Sequence, residues 1–264
     1  MHETWKILVT RNVAALAAAA AETLSACAGH AVSMHGRCTV ALSGGTTPRG
    51  MYRLLARAPY RARIPWDAVH IFWVDERCVP AVHEASNYGT ARRDFLDQVP
   101  IPPGNLHPMP GDIEPRAGRA RYEAELIRFF NLKTGTFPGF DALFLGMGKD
   151  GHTGSLFPGQ DSLHERTTLV AAVRGGWPSI DRLTLTLPVL NHAAQVVVLA
   201  AGREKGALVA KLVTDAPESA GLPMGMVRPH RGEVLWIIDD AAATMIPEDI
   251  LSMMHTTQGG RQEE

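Results

Sequence analysis

Residues 146–158 read GMGKDGHTGSLFP and follow directly on an apolar run, FDALFLG. Four glycines, Asp150 and His152 fall within this stretch. Imidazole titrates near neutral pH, so His152 is suited to taking a proton from water and returning it. Asp150 is close enough in sequence to orient the ring or raise its basicity. A loop this rich in glycine offers a histidine little to pack against, which favours a chemical role over a core one. Gly146, Gly148 and Gly151 also spell G-x-G-x-x-G. A dinucleotide site, however, needs a long helix directly afterwards and an acid about twenty residues on. Gly154, Pro158 and Gly159 break any such helix, and no acid closes the next apolar run, TTLVAAVR.

Other strand ends carry polar groups of their own. After CTVAL comes SGGTTPRGMYRLL, residues 43–55. Gly44 and Gly45 let the backbone approach a ligand, Thr46 and Thr47 offer hydroxyls, and Pro48 suits a first helical position. Free amides and the helix dipole together favour an anion, most naturally a phosphate, over the plain turn that Thr47 would cap. The G-K-[ST] ending of a P-loop is missing. After HIFWV comes Asp75-Glu76-Arg77. The apolar run before them places Asp75 and Arg77 at the edge of a cleft, where Arg77 can clamp a phosphate or stabilise developing negative charge. After QVVVLAAG, Lys205 falls in the first helical turn, where the dipole disfavours a cation. Such a lysine is either solvated or facing an anion. No G-x-S-x-G elbow and no H-E-x-x-H is present, and the eleven histidines show no metal-ligand spacing.

These positions require elements to hold them. Strands are expected at 6–10, 38–44, 69–76, 140–148, 182–188, 195–202 and 234–240, with 182–188 reading as a half-buried alternation. Helices are expected at 11–27, from Pro48, at 87–98 with Ser86 as N-cap, at about 115–130 after DIEP, at 203–213, and from AAATMI onward. Strands alternating with helices predict an α/β fold with a mostly parallel sheet covered on both faces. Ligands then bind beyond the carboxyl ends of the strands. Residues 98–112 and 214–232 are rich in proline and glycine and read as surface loops. The chain reads as a single domain over 1–264, with a frayed tail from about 255.

Of the 264 residues, 26 are basic and 27 acidic, which points to neither nucleic acid nor an anionic membrane as partner. Three cysteines, Cys27, Cys38 and Cys78, are an odd number without C-x-x-C spacing, and the simplest setting is a reduced, cytoplasmic one. AALAAAAAETLSACAGHA, residues 14–31, reads as an alanine-rich helix rather than a signal-peptide apolar region, because KILVT before it already reads as a strand.

Four stretches together resemble the 6-phosphogluconolactonase family: residues 42–55, 72–96, 140–159 and 182–209. The family pattern usually has alanine where this chain has Gly154, a departure that leaves His152 in place. The resemblance implies a Rossmann-like α/β/α sandwich, related to glucosamine-6-phosphate deaminases and ribose-5-phosphate isomerases. It implies hydrolysis of 6-phospho-D-glucono-1,5-lactone to 6-phosphogluconate, with no cofactor. The phosphate would rest on Ser43, Gly44, Gly45 and Thr46, with Lys205 and Arg182 supplying charge. His152 would activate water, Arg77 and loop amides such as that of Gly151 would stabilise the carbonyl oxygen, and Asp75 and Asp150 would orient hydroxyls, water or the imidazole. Two rival readings are a deaminase or isomerase on the same scaffold, and a non-catalytic sugar-phosphate sensor. The first shares D-G-H but not the continuation TGSLFPG. The second calls for a helix-turn-helix segment, for which the N-terminus leaves no room.

Overall fold

A computed structural model describes residues 5–176 and 179–254. The expected tail from 255 lies outside the described residues. β1 (Trp5–Thr10) leads into α1 (Val13–His35), and β2 (Cys38–Leu42) into α2 (Thr46–Leu55) and the short α3 (Tyr60–Arg63). β3 (Val69–Trp73) and β4 (Asp75–Arg77) are followed by α4 (Asn87–Asp94), β5 (Leu106–His107), α5 (Pro115–Phe130) and β6 (Ala142–Gly146). Then come β7 (Val170–Gly175), β8 (Ile180–Leu185), α6 (Leu187–Leu190), β9 (Gln195–Ala200) and α7 (Gly206–Val213). β10 (Glu233–Asp239), α8 (Asp240–Ala243) and α9 (Glu248–Met254) close the described chain.

Seven strands form an all-parallel sheet in the order β1-β10-β9-β6-β2-β3-β5. Its strands are continuous apolar runs because helices flank the sheet: every residue of β2 is buried, as are Val196–Ala200 of β9. The fold is therefore the expected α/β architecture with a parallel central sheet. α1 starts where the Asn12 side chain accepts from the Ala15 amide, and it ends at Gly36 in the left-handed region. It runs past the expected end at residue 27 because Ala28 and Ala31 continue its buried stripe. Leu16 and Leu24 on that stripe contribute about 1.5–3 kcal/mol each by burial. α1 is long and apolar enough, by length and composition, to cross a membrane; here its stripe packs on β10, β2, β1 and α2.

A second sheet was not foreseen. β4, β8 and β7 form an antiparallel set in the order β4-β8-β7. The expected strand over 69–76 is two strands joined at Val74. The Val74 amide donates to Leu42 of the parallel sheet (2.9 Å), and its carbonyl accepts from Leu185 of β8 (2.8 Å). One residue thus hands the chain from one sheet to the other. The consequence is that Asp75 and Arg77 leave the parallel sheet beside β8. The expected half-buried alternation of 182–188 is also corrected: Arg182–Leu185 are all buried, because α5 packs on this sheet.

Candidate active site

A cleft of about 170 Å³ opens at the carboxyl ends of the parallel strands, bounded on one side by β4 and β8. Residues 43–48 form one wall. Ser43 is buried, and its Oγ has no hydrogen-bond partner. Its carbonyl is held by the Tyr52 hydroxyl at 2.5 Å. Gly45, at φ 95°, is the N-cap of α2 and makes no side-chain cap, so the first amides of the helix are left for a ligand. The helix begins at Thr46, which moves Pro48 from the expected first position to the third. Gly44 has no room for a side chain, because a Cβ there would overlap the Asn87 carboxamide.

β4 separates its three charges by the two-residue period of a strand. Asp75 and Arg77 line the cleft, opposite Thr184 and Arg182 of β8. Glu76 is buried and faces the start of α4. It accepts from the amides of Arg77 (2.8 Å), Asn87 (2.7 Å) and Tyr88 (2.8 Å) and from the Ser86 hydroxyl (2.9 Å). Burial pushes its carboxyl up, against those four bonds. Ser86 caps α4 as expected, accepting from the Gly89 amide. Arg77 donates to the Ala85 carbonyl at 2.6 Å, while its Nε is buried without a partner.

Arg182 lines the cleft while 7% exposed. Its Nε donates to the Gly175 carbonyl at 3.0 Å, and its guanidinium lies 5.7 Å from the Phe157 ring centre. Burial, with Arg77 beside it, holds its pKa below the ordinary arginine value. Lys205 stands at the N-cap of α7 and also lines the cleft. Burial, reinforced by Lys149, holds its ammonium below the ordinary lysine value. Two arginines and a desolvated lysine, with an orphaned serine hydroxyl and an uncapped helix N-terminus, make a surface suited to an anion.

The loop after β6 brings His152 to the same cleft. Its Nδ1 lies 2.5 Å from Asp150 Oδ1, which also accepts from the His152 amide at 3.2 Å. An ionised Asp150 accepts from Nδ1–H, so Nε2 carries the lone pair. Burial pushes the Asp150 carboxyl up, but the bonds and charge from His152 outweigh it and leave Asp150 below the usual carboxylate value. Gly148 makes the seat: a Cβ there would lie 2.6 Å from Asp150 Oδ1 and overlap the imidazole. Asp150 stands behind His152 rather than on the cleft wall. Gly151, expected as an amide donor, is not among the residues lining the cleft. Its N–H donates to Gly148 O (3.2 Å), its carbonyl accepts from Met224 N (3.0 Å), and its Cα faces Leu222. Among the described residues no group of three or more His, Cys, Asp or Glu side chains is placed to hold a metal ion.

The family model for glucosamine-6-phosphate isomerases/6-phosphogluconolactonases matches residues 11–236. The chain belongs to this family. A 6-phosphogluconolactonase from Synechocystis sp. is 40% identical over 213 residues, 80% of this chain and 86% of that protein. The 6-phosphogluconolactonase of Trypanosoma brucei is 27% identical, with a TM-score of 0.83 over 94% of this chain and 100% of that one. A monomeric glucosamine-6-phosphate deaminase is 20% identical, with a TM-score of 0.76 over 91% of this chain and 99% of that one, a likeness of fold alone.

Three groups in this family member's site escaped the sequence reading. Asn87 lines the cleft and donates to the Asp75 carbonyl (2.8 Å) and to Oδ1 (3.2 Å). Thr184 reaches Asp75 only through the β4–β8 pairing. Ser155 reaches the same carboxylate from the His152 loop. The cap at Ser86 was a signal for where α4 begins, but nothing in the sequence says that its next residue turns toward β4.

Proposed function

We propose that this chain hydrolyses 6-phospho-D-glucono-1,5-lactone to 6-phospho-D-gluconate, the lactone step of the oxidative pentose phosphate pathway. The curated relatives named 6-phosphogluconolactonase support this, including a second one from Nostoc sp. at 39% identity over 80% of this chain. The observation that carries it is His152, held by Asp150, on the wall of one small cleft with three cationic side chains. A base beside an anion site suits a small phosphorylated electrophile.

In this reading the phosphate rests on Ser43–Thr46, with Lys205 and Arg182 supplying charge. His152 Nε2 takes a proton from water as the oxygen attacks the lactone carbonyl carbon. General-base help of this kind is worth roughly 10²–10⁴ in rate. The carbonyl oxygen gains negative charge, and Arg77 on the cleft wall would offset it. When the intermediate collapses, the ring oxygen leaves and takes the proton that His152 holds. Asp75 accepts hydroxyl groups of the sugar, and Asp150 keeps the imidazole in its tautomer. The same proposal includes a cytoplasmic setting, supported by three free cysteines, and action as a single domain, supported by one continuous apolar core.

The test compares two substrates. Purified protein is given the lactone, made in situ from glucose 6-phosphate, and separately glucosamine 6-phosphate. Acid formation well above the spontaneous rate, without ammonia release, is expected. Ammonia release, or lactone opening no faster than the background, contradicts the proposal.

A further inference from the structure

Ser155 lies three residues beyond His152 in the same loop and is fully buried. Its hydroxyl donates to Asp75 Oδ2 at 2.6 Å. Its amide donates to Thr184 Oγ1 at 3.2 Å. Asp75 and Thr184 are register partners on β4 and β8, the strands that carry Arg77 and Arg182. One residue of the base's loop is therefore fastened to both strands of the cationic wall. Other ties of the loop run back to itself and to β6, as Thr153 Oγ1 to the Gly146 carbonyl (2.9 Å) and the Gly148 amide to the His152 carbonyl (2.8 Å), or out to the Met224 amide, which donates to the Gly151 carbonyl (3.0 Å). Ser155 thus supplies the loop's side-chain hydrogen bond to the β4–β8 pair among the described residues, beside the packing of Phe157 against Arg182.

The link acts on a group that needs one. Asp75 is 4% exposed and lines the cleft beside two arginines on its own sheet. A carboxylate so placed has two competing fates. It can turn onto a guanidinium, or it can hold its oxygens toward the cleft. Ser155 takes one oxygen and Asn87 the other, which fixes the plane of the carboxylate and leaves its remaining lone pairs for a ligand. Hydrogen bonds to ionised groups are short and strong, and supporting contacts of this kind set a site's geometry.

We propose that Ser155 is a positioning residue, whose hydroxyl locks Asp75 in its cleft-facing orientation and ties the His152 loop to the Arg77–Arg182 strand pair. The proposal rests on the lactonase reading above. The test is a double-mutant cycle on lactone hydrolysis, with Ser155→Ala, Asp75→Ala and the pair. Ser155→Ala is expected to lower kcat/KM about tenfold, as for a lost bond to a charged group. In the Asp75→Ala background its effect should shrink to less than about twofold, because the group it positions is gone. The same cycle is read in the Kd for 6-phosphogluconate, so a slow background still gives an answer. Ser155→Cys keeps a weak donor of similar shape. It should recover part of the loss, and it takes the place of the alanine variant if that one does not fold. An equal cost in both backgrounds, or full activity of Ser155→Ala, overturns the proposal. A wild type that leaves the lactone unturned overturns the functional reading itself, and this proposal with it.

Discussion

Arg77 and Arg182 stand directly opposite each other across the antiparallel β4–β8 ladder, two like charges on one face of a two-strand contact. Such a pairing costs stability on its own. Neither guanidinium forms an ion pair among the described residues, so a bound anion is what would offset the repulsion. A phosphate ester at 100 times its Kd should stabilise the wild type by about 2.7 kcal/mol. Arg182→Gln, with affinity reduced about tenfold, should gain only about half as much at the same concentration. Thermal unfolding with and without 6-phosphogluconate measures both. An equal gain in the two proteins would remove Arg182 from the anion site.

Lys205 gives a prediction with the opposite sign for binding and stability. Its folded pKa lies below the ordinary 10.5, so the charged form is disfavoured by folding. While charged, it therefore weakens the native state, and stability should rise with pH from its folded pKa toward 10.5. Lys205→Met should melt higher than wild type at neutral pH and lose that alkaline rise, while its KM for the lactone increases about tenfold or more. Melting curves from neutral to alkaline pH, beside steady-state kinetics, check the two halves separately.

Gly148 is required by what sits against it. A side chain there would displace both members of the His152–Asp150 pair. Gly148→Ala should lower kcat by about 10², the effect of misplacing a catalytic group by an ångström, with little change in melting temperature. Retained activity would mean that the imidazole works from another position.

Much of this site is legible in the sequence. The helix over 115–130 matched residue for residue, because Glu114 caps it, Pro115 opens it and Asn131 closes it in the left-handed region. His152, Arg77 and Lys205 each stand just past the end of an apolar run, and a parallel sheet gathers its strand ends in one place. The errors share a cause. VHIFWVDE reads as one strand because apolar residues are continuous through Val74, whose two backbone bonds go to different sheets. A tertiary switch of that kind leaves no pattern in composition. The turn that bonds the Gly151 amide to the Gly148 carbonyl likewise leaves no mark in composition. Ser155 and Asn87 were missed because a buried hydroxyl or carboxamide is recognised only by the partner it meets.

The acid side of stability has its own marker outside the cleft. Glu165 is lowered from 4.5 to about 2 by the Thr167 amide and hydroxyl, then by the amides of Thr168 and Arg166. A carboxylate with a depressed folded pKa contributes stability that is complete above 4.5 and is lost as pH falls toward 2. Glu165→Gln should therefore melt below wild type at pH 7, with the gap closing by about pH 2. A gap independent of pH would show that shape rather than charge fixes that turn.

The central claim is that His152, held by Asp150, activates water against a phosphorylated lactone. The most direct measurement is lactone hydrolysis by wild type and His152→Ala, followed as 6-phosphogluconate formation against spontaneous opening. The account predicts a wild type far above background and a folded variant slower by about 10²–10⁴. A folded His152→Ala variant with wild-type activity would contradict it and move the base elsewhere in the cleft.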